Sequence, residues 1–291
     1  MTNIRVEIEE VWKGLINEIG IDSLFDPHFG KFIDTFHNET ENASQVHLEL
    51  WSAILEQEIA WLSSFHFVLA ENCIGDASEY RVPWALVGTA CSQAVAIRKL
   101  SLIGLDIPAK AVYRTLVETL QIFLVTTADR KLLAKYQVGG VEEANKIWSS
   151  ELRTKNLASK LSKIYSKFPL DDEILTLMTN WQKEEFSLTS QAIHLSYTMS
   201  FLASMPPTFD NDLHKAGIIG ITTPLSIRTL SETCKSIWLY GRLGFRLLLE
   251  KFSDESLDPV HFNQEKQESI ATLYGFSVID QLIVAHWNDL E

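Results

Sequence analysis

The sequence predicts an all-α fold, a multi-helix bundle built around an antiparallel helical hairpin, and three observations carry that expectation. Apolar side chains recur at three- and four-residue spacing over stretches of helical length. Punctuation falls between those stretches, at Pro83, Gly104, Gly139 with Gly140, Pro169, Pro206 with Pro207, and Pro224. No sustained two-residue alternation bounded by hairpin turns occurs, so no substantial sheet is expected.

Taken in order, Ile4, Ile8, Val11, Trp12, Leu15 and Ile19 mark a short amphipathic helix. Asp22 to Gln45, with Pro27, Gly30, Asn38 and Asn42, reads as an irregular arm, which divides the chain into an N-terminal helix and arm, 1–45, and a main helical domain, 46–291. Val46 to Cys73 is a long helix. The next begins near Pro83 and stops at Gly104, and another begins at Asp106 or Ile107, with Asp106 as its expected cap. So short a link forces these two helices antiparallel, making them the centre of the fold. Helical spacing resumes in 141–168, in about 172–183 and in 187–205. After a loop over 208–223, Thr223 followed by Pro224 signals a helix start with a helical pattern to about Phe252. A last helix covers about 264–287 and points Ile270, Leu273, Phe276, Ile279, Leu282 and Ile283 inward.

The 291 residues, 46% hydrophobic, suffice for a large core without metals or disulfides, and Cys73, Cys91 and Cys234 read as small core side chains. No run of eighteen uncharged apolar residues is present, and the N-terminus lacks the basic-then-apolar order of a secretory signal. A cytoplasmic protein with no membrane partner is the expectation. The formal charge of −13 disfavours a broad nucleic-acid-binding face. A locally basic cleft around Lys146, Arg153, Lys155, Lys160 and Lys163 survives that argument, leaving RNA or a nucleotide as a partner for a local cleft. Helices with apolar residues on more than one face are compatible with a homodimer.

One heptapeptide occurs nearly twice: YRTLVET at 113–119 and IRTLSET at 227–233. Each copy sets arginine and glutamate four apart on one helix face, Arg114 with Glu118 and Arg228 with Glu232. On the first of these helices the apolar arc runs almost around the cylinder, leaving Lys110, Arg114, Glu118 and Gln121 as one narrow polar stripe. A polar stripe on a central helix requires partners or a water-filled cleft. Further along, Ser190, His194 and Tyr197 share a helical face, where His194 has the pKa for proton transfer near neutrality. The eight histidines are scattered, and neither nucleotide-binding glycine motifs nor cysteine-pair zinc spacings occur, so no metal and no cofactor are expected.

The stretch AVAIRKLSLIGLDIPAKAVYRTLVETLQIFLVTTADRKLLAKY at 94–136, with Gly104, the Arg114–Glu118 pair and the later Ser190–His194 element, resembles a group of bacterial all-helical proteins similar in style to the HEPN proteins, some of which are RNA-cleaving toxins or phage-defence components. The resemblance implies a catalytic set in which Arg114 stabilises phosphate, Glu118 orients Arg114 and His194 transfers a proton. Ser190, Tyr197, Gln121, Arg228 and Glu232 are the matching candidate ligand-binding residues. No arginine here has a histidine five to seven positions later, the spacing of the HEPN nuclease signature. The leading expectation is therefore a HEPN-like helical protein, non-catalytic or cryptic, that acts through a polar cleft or an interface. The alternatives are a metal-independent phosphodiesterase, ribonuclease or nucleotide-acting enzyme, and a partner-binding helical scaffold.

Overall fold

A computed structural model of the chain describes residues 4–19, 29–73, 78–137, 141–168, 176, 179–185, 187, 190, 220 and 222–289. They form an all-helical bundle, as the spacing predicts. In chain order the helices are α1 (Ile4–Ile19), α2 (Phe29–Asn72), α3 (Arg81–Leu102), α4 (Asp106–Ala128), α5 (Arg130–Gln137), α6 (Val141–Ile147), α7 (Thr154–Tyr165), α8 (Pro224–Ser236), α9 (Arg242–Leu249) and α10 (Gln267–His286). Two π-helical turns, Trp148–Leu152 and Ile237–Gly241, continue α6 and α8.

The α3–α4 hairpin is the centre of the bundle, and its turn explains why. Gly104 adopts φ 73°, and the amides of Gly104 and Leu105 bond back to the carbonyls of Ser101 (3.1 Å) and Leu100 (2.8 Å), closing α3 and reversing the chain within three residues. The two helices then pack antiparallel, with Gln93 Nε2 donating to Thr115 Oγ1 across them at 3.2 Å.

Helix α2 corrects the expected arm: residues 29–45 are helical, and the division at 45/46 falls inside one continuous helix. Local propensity, weakened by Gly30 and the asparagines, loses here to tertiary anchoring. Glu41 pairs with Lys99 of α3, and the buried Ser44 bonds Thr222. From Ser44 onward, α2 buries a seam that repeats every seven residues, Ser44, Leu48, Trp51, Leu55, Glu58, Leu62, Phe65 and Leu69. Trp61, beside this seam, donates to the Thr272 carbonyl of α10 at 3.0 Å and meets Phe245 and Phe276 edge-on.

Helix α10 confirms Phe276, Ile279 and Ile283 as inward-facing but not Ile270, which is exposed together with Tyr274, Val278 and Val284. The helix packs against α2 and the π-helical turn at 237–241, and its apolar residues outnumber the buried positions available to them. Despite carrying Glu268 and Asp280, it is long and apolar enough by length and composition to cross a membrane, with a mean hydropathy of 1.2. The three cysteines are free thiols, Cys234 buried and Cys73 and Cys91 half-buried.

Glu58 is the one charged-type residue in the α2 seam. Burial pushes its carboxyl well above the usual carboxylate range, an effect partly opposed by the neighbouring Cys234 thiol. An acid whose folded pKa is raised contributes less stability as pH climbs above its unfolded value. Glu58→Leu is therefore expected to stabilise the fold by about 1–4 kcal/mol, with a larger gain at pH 8 than at pH 5. Urea denaturation at both pH values measures this, and a variant less stable than the parent at pH 8 would contradict it.

Candidate functional site

Because α4 lies at the centre, most of its surface is covered: Tyr113, Leu116, Leu120, Phe123, Leu124 and Val125 are all buried. Its polar residues follow a four-residue rhythm, Asp106, Lys110, Arg114 and Glu118, with Gln121 continuing the stripe. Each finds a different answer to burial.

Asp106 was expected to cap its own helix. Instead it occupies the first turn of α4 and accepts hydrogen bonds from two hydroxyls at the start of α8, Ser226 Oγ at 2.6 Å and Thr223 Oγ1 at 2.5 Å. The same hydroxyls cap α8: Thr223 Oγ1 accepts from the Leu225 amide, and Ser226 Oγ accepts from the Thr223 amide. Both hydroxyl protons are thus directed at the carboxylate. Burial lifts Asp106 to about 6, against the opposing effects of Ser226, Thr223 and Lys110.

Lys110, one turn on, is only 1% exposed. Its Nζ lies 4.0 Å from Glu185 Oε2 and 5.8 Å from the Tyr113 ring centre. Burial lowers its pKa, with Glu185 pulling the other way. Glu185 also accepts from Arg228, at 3.1 Å from Nε and 2.5 Å from Nη2. The second heptapeptide therefore does not repeat the pairing of the first. Arg114 Nε donates to Glu118 Oε1 at 2.8 Å, whereas Arg228 turns to Glu185, and Glu232 accepts from Trp181 Nε1 and from Lys235 Nζ at 3.3 Å. Burial raises the Glu232 carboxyl, and the charge of Glu185 raises it further. The two copies nevertheless lie side by side, on helices whose N-termini are joined through Asp106 and whose later residues meet at Tyr113–Ser236 (3.1 Å) and Gln121–Tyr240 (2.8 Å).

At its C-terminal half the stripe opens into a recess. Arg114, Glu118 and Gln121 form one side of a cavity of about 490 Å³, and α7 with the π-helical turn before it forms the other, through Trp148, Leu152, Leu157 and Tyr165. Gln182 and Lys183 of the 179–185 helical segment complete the rim. A second chamber of about 40 Å³ lies behind Arg114 and Gln121, bounded by Tyr113, Trp181, Glu185 and Tyr240, and is large enough for a water molecule. Between the chambers runs a chain of amides and phenols: Gln121 Nε2 donates to Tyr240, and Gln182 Nε2 donates to Tyr165 at 3.0 Å. Burial pushes Tyr240 up to about 12, an effect its hydrogen bonds with Gln121, Tyr165 and Gln182 reduce, so it stays a neutral phenol near pH 7.

Of the residues singled out from sequence, Arg114, Glu118 and Gln121 line the recess, while the half-buried Arg228 and the buried Glu232 belong to a separate charge cluster with Glu185 and Lys235. Ser190 is half-buried and lines neither chamber. His194 and Tyr197 lie outside the described residues. Sequence reasoning missed Trp148, Tyr165, Trp181, Lys183, Glu185 and Tyr240. The helical spacing of Leu152, Leu157 and Leu161 did mark the wall they share, but not what faces it. Among the described residues no group of three metal-ligating side chains gathers.

Fold and site together define a class: an all-helical bundle with a lateral recess opened by the polar stripe of its central helix. No protein family, curated protein or solved structure matches the chain.

Because the folded pKa of Asp106 lies above the ordinary value of 3.8, its contribution is fully present below about pH 4 and is lost as pH rises through 6. Asp106→Asn is expected to remove this dependence, so the stability difference between parent and variant changes by about 2–3 kcal/mol between pH 4 and pH 7. Chemical denaturation across that range measures it; parallel pH profiles for the two proteins would contradict it.

Proposed function

We propose that this chain is a non-catalytic helical protein that acts by binding a small amphipathic molecule in the recess between α4 and α7. One observation carries the reading: the polar residues of a mostly buried helix, Arg114, Glu118 and Gln121, converge on a cavity of about 490 Å³ whose other wall is mostly apolar. That volume lies within the usual range for small-molecule sites, as does a mostly apolar lining with a few fixed polar groups. The polar groups are held in place. Glu118 fixes the Nε edge of Arg114, and Tyr240 fixes the amide of Gln121, so a ligand meets a site that is already organised. The catalytic alternative, suggested by the likeness to HEPN proteins, joins Arg114 and Glu118 to His194; the described geometry supports binding through the first two.

Ala158 lines the recess with an exposed side chain, so enlarging it fills the cavity without disturbing the core. In a ligand-observed NMR screen of small aromatic and aliphatic fragments, Ala158→Trp is expected to weaken the hits at least tenfold while leaving the melting temperature unchanged. Equal binding by parent and variant, or no hits at all, would sink the proposal.

A further inference from the structure

Helix α10 is apolar nearly all round, yet it lies on the outside of the bundle. Its inward face, Thr272, Phe276, Ile279 and Ile283, is buried, while Tyr274 and Val284 on the outer side stay 69% and 66% exposed. A helix of this composition normally belongs in an interior, because each exposed apolar side chain leaves hydrophobic stabilisation unused. Ile270 and Val278 form an outward row with Tyr274, at i, i+4 and i+8. Between Ile270 and Ala285 every exposed side chain of the helix is uncharged, on a chain that carries −13.

The row is matched to itself. An antiparallel copy, turned about a two-fold axis between Ser277 and Val278, places Ile270 opposite Ala285, Ala271 opposite Val284, and Tyr274 opposite Gln281. Large side chains then meet small ones, as the interlocking of i±4 ridges requires. The Tyr274 phenol meets an amide that can bond it. Beyond the row, the same rotation brings Lys266 opposite Asp289, whose side chains are 47% and 51% exposed, so that opposite charges meet at each end. The N-terminus of one helix also adjoins the C-terminus of the other, the favourable arrangement of their dipoles.

From these observations we infer that α10 is the docking surface for a second copy of this chain, in an antiparallel α10–α10 pair centred at Ser277 and Val278. The contact is isologous, so one face supplies both sides. Two copies that repel at long range meet here along a strip without charge. The row from Ile270 to Ala285 is about 22 Å long, and with its flanking side chains it offers about 600 Å² per copy, or about 1,200 Å² for the pair, the lower end of specific interfaces. A dimer of that size forms in a concentration-dependent way. A lipid bilayer suits the face less well. Trp61 holds the Thr272 carbonyl, and Trp238 Nε1 (2.9 Å) and Arg242 (2.7 Å) hold Asp280, which ties α10 to the bundle. A spanning α10 would also carry Glu268 and Asp280 into hydrocarbon.

Sedimentation velocity of the full chain at about 5 and about 50 µM is expected to show a monomer–dimer equilibrium, with the two-chain species predominant at the higher concentration. Val278→Glu sets two carboxylates against each other at the axis and is expected to weaken the dimer at least tenfold, with helical content by circular dichroism unchanged. Register is read separately. With Ile270→Cys and Ala285→Cys in one chain, mild oxidation is expected to give a disulfide-linked dimer that neither substitution gives alone. These positions lie about 22 Å apart along one helix, too far for a bond within one chain. A parent that stays monomeric at about 50 µM overturns the inference, as does a double-cysteine protein no more cross-linked than the single ones. A dimer indifferent to Val278→Glu places the contact on another face and overturns it too. Co-sedimentation with phosphatidylcholine vesicles that Val278→Glu abolishes assigns the face to lipid, with the same consequence.

Discussion

The structure depends on the burial of α4. A helix covered on nearly every side must supply a partner for each polar group it carries, because a charge withdrawn from water costs several kcal/mol unless it is paired or hydrogen-bonded. Asp106, Lys110 and Arg114 are such groups, and their partners come from three separate parts of the chain. Asp106 takes Thr223 and Ser226 from α8, Lys110 shares Glu185 with Arg228, and Arg114 takes Glu118 from its own helix. The stripe thereby fixes where α8 and the 179–185 segment sit relative to the hairpin.

Aromatic packing closes the other side of the same arrangement. Lys235 lies over the Trp51 and Trp287 rings at 5.6 and 5.0 Å while pairing with Glu232, which links α2, α8 and the chain beyond α10 around one ammonium group. Gly244 lets α9 approach the Phe123 ring so closely that any side chain there would collide with it. Along α4 the environment thus changes by degrees, from the buried hydroxyl bonds of Asp106 and the buried ion pair of Lys110, through the water-sized chamber beside Tyr113, to the open recess at Glu118. The recess exists because the stripe runs past the end of the sealed region, where α7 stands off enough to leave space.

Much of this was legible in the sequence. The hairpin followed from Gly104 and the short link to Pro108, the α8 start from Thr223 with Pro224, and the polar stripe from four-residue spacing in an otherwise apolar helix. Those signals are local, and local rules govern them. The arm at 29–45 was misread because Glu41 and Ser44 are secured by Lys99 and Thr222, contacts that no nearby residue announces. The Arg228–Glu232 pair was misassigned for a related reason. Spacing of four residues makes a pair available, but a better-placed carboxylate on Glu185 took the arginine, and Trp181 with Lys235 took the glutamate. Ile270 was misplaced because α10 is apolar nearly all round, so its sequence does not indicate which face is covered.

The most direct measurement of the central claim, that the α4 charges are held in the interior, is the titration of the Lys110 side chain by heteronuclear NMR, assigned by comparison with Lys110→Met. A sealed ammonium beside Glu185 loses its proton at lower pH than the surface lysines, with slowed solvent exchange. A Lys110 signal that titrates and exchanges together with those of the surface lysines would show that the stripe faces water, and the arrangement described above would not hold.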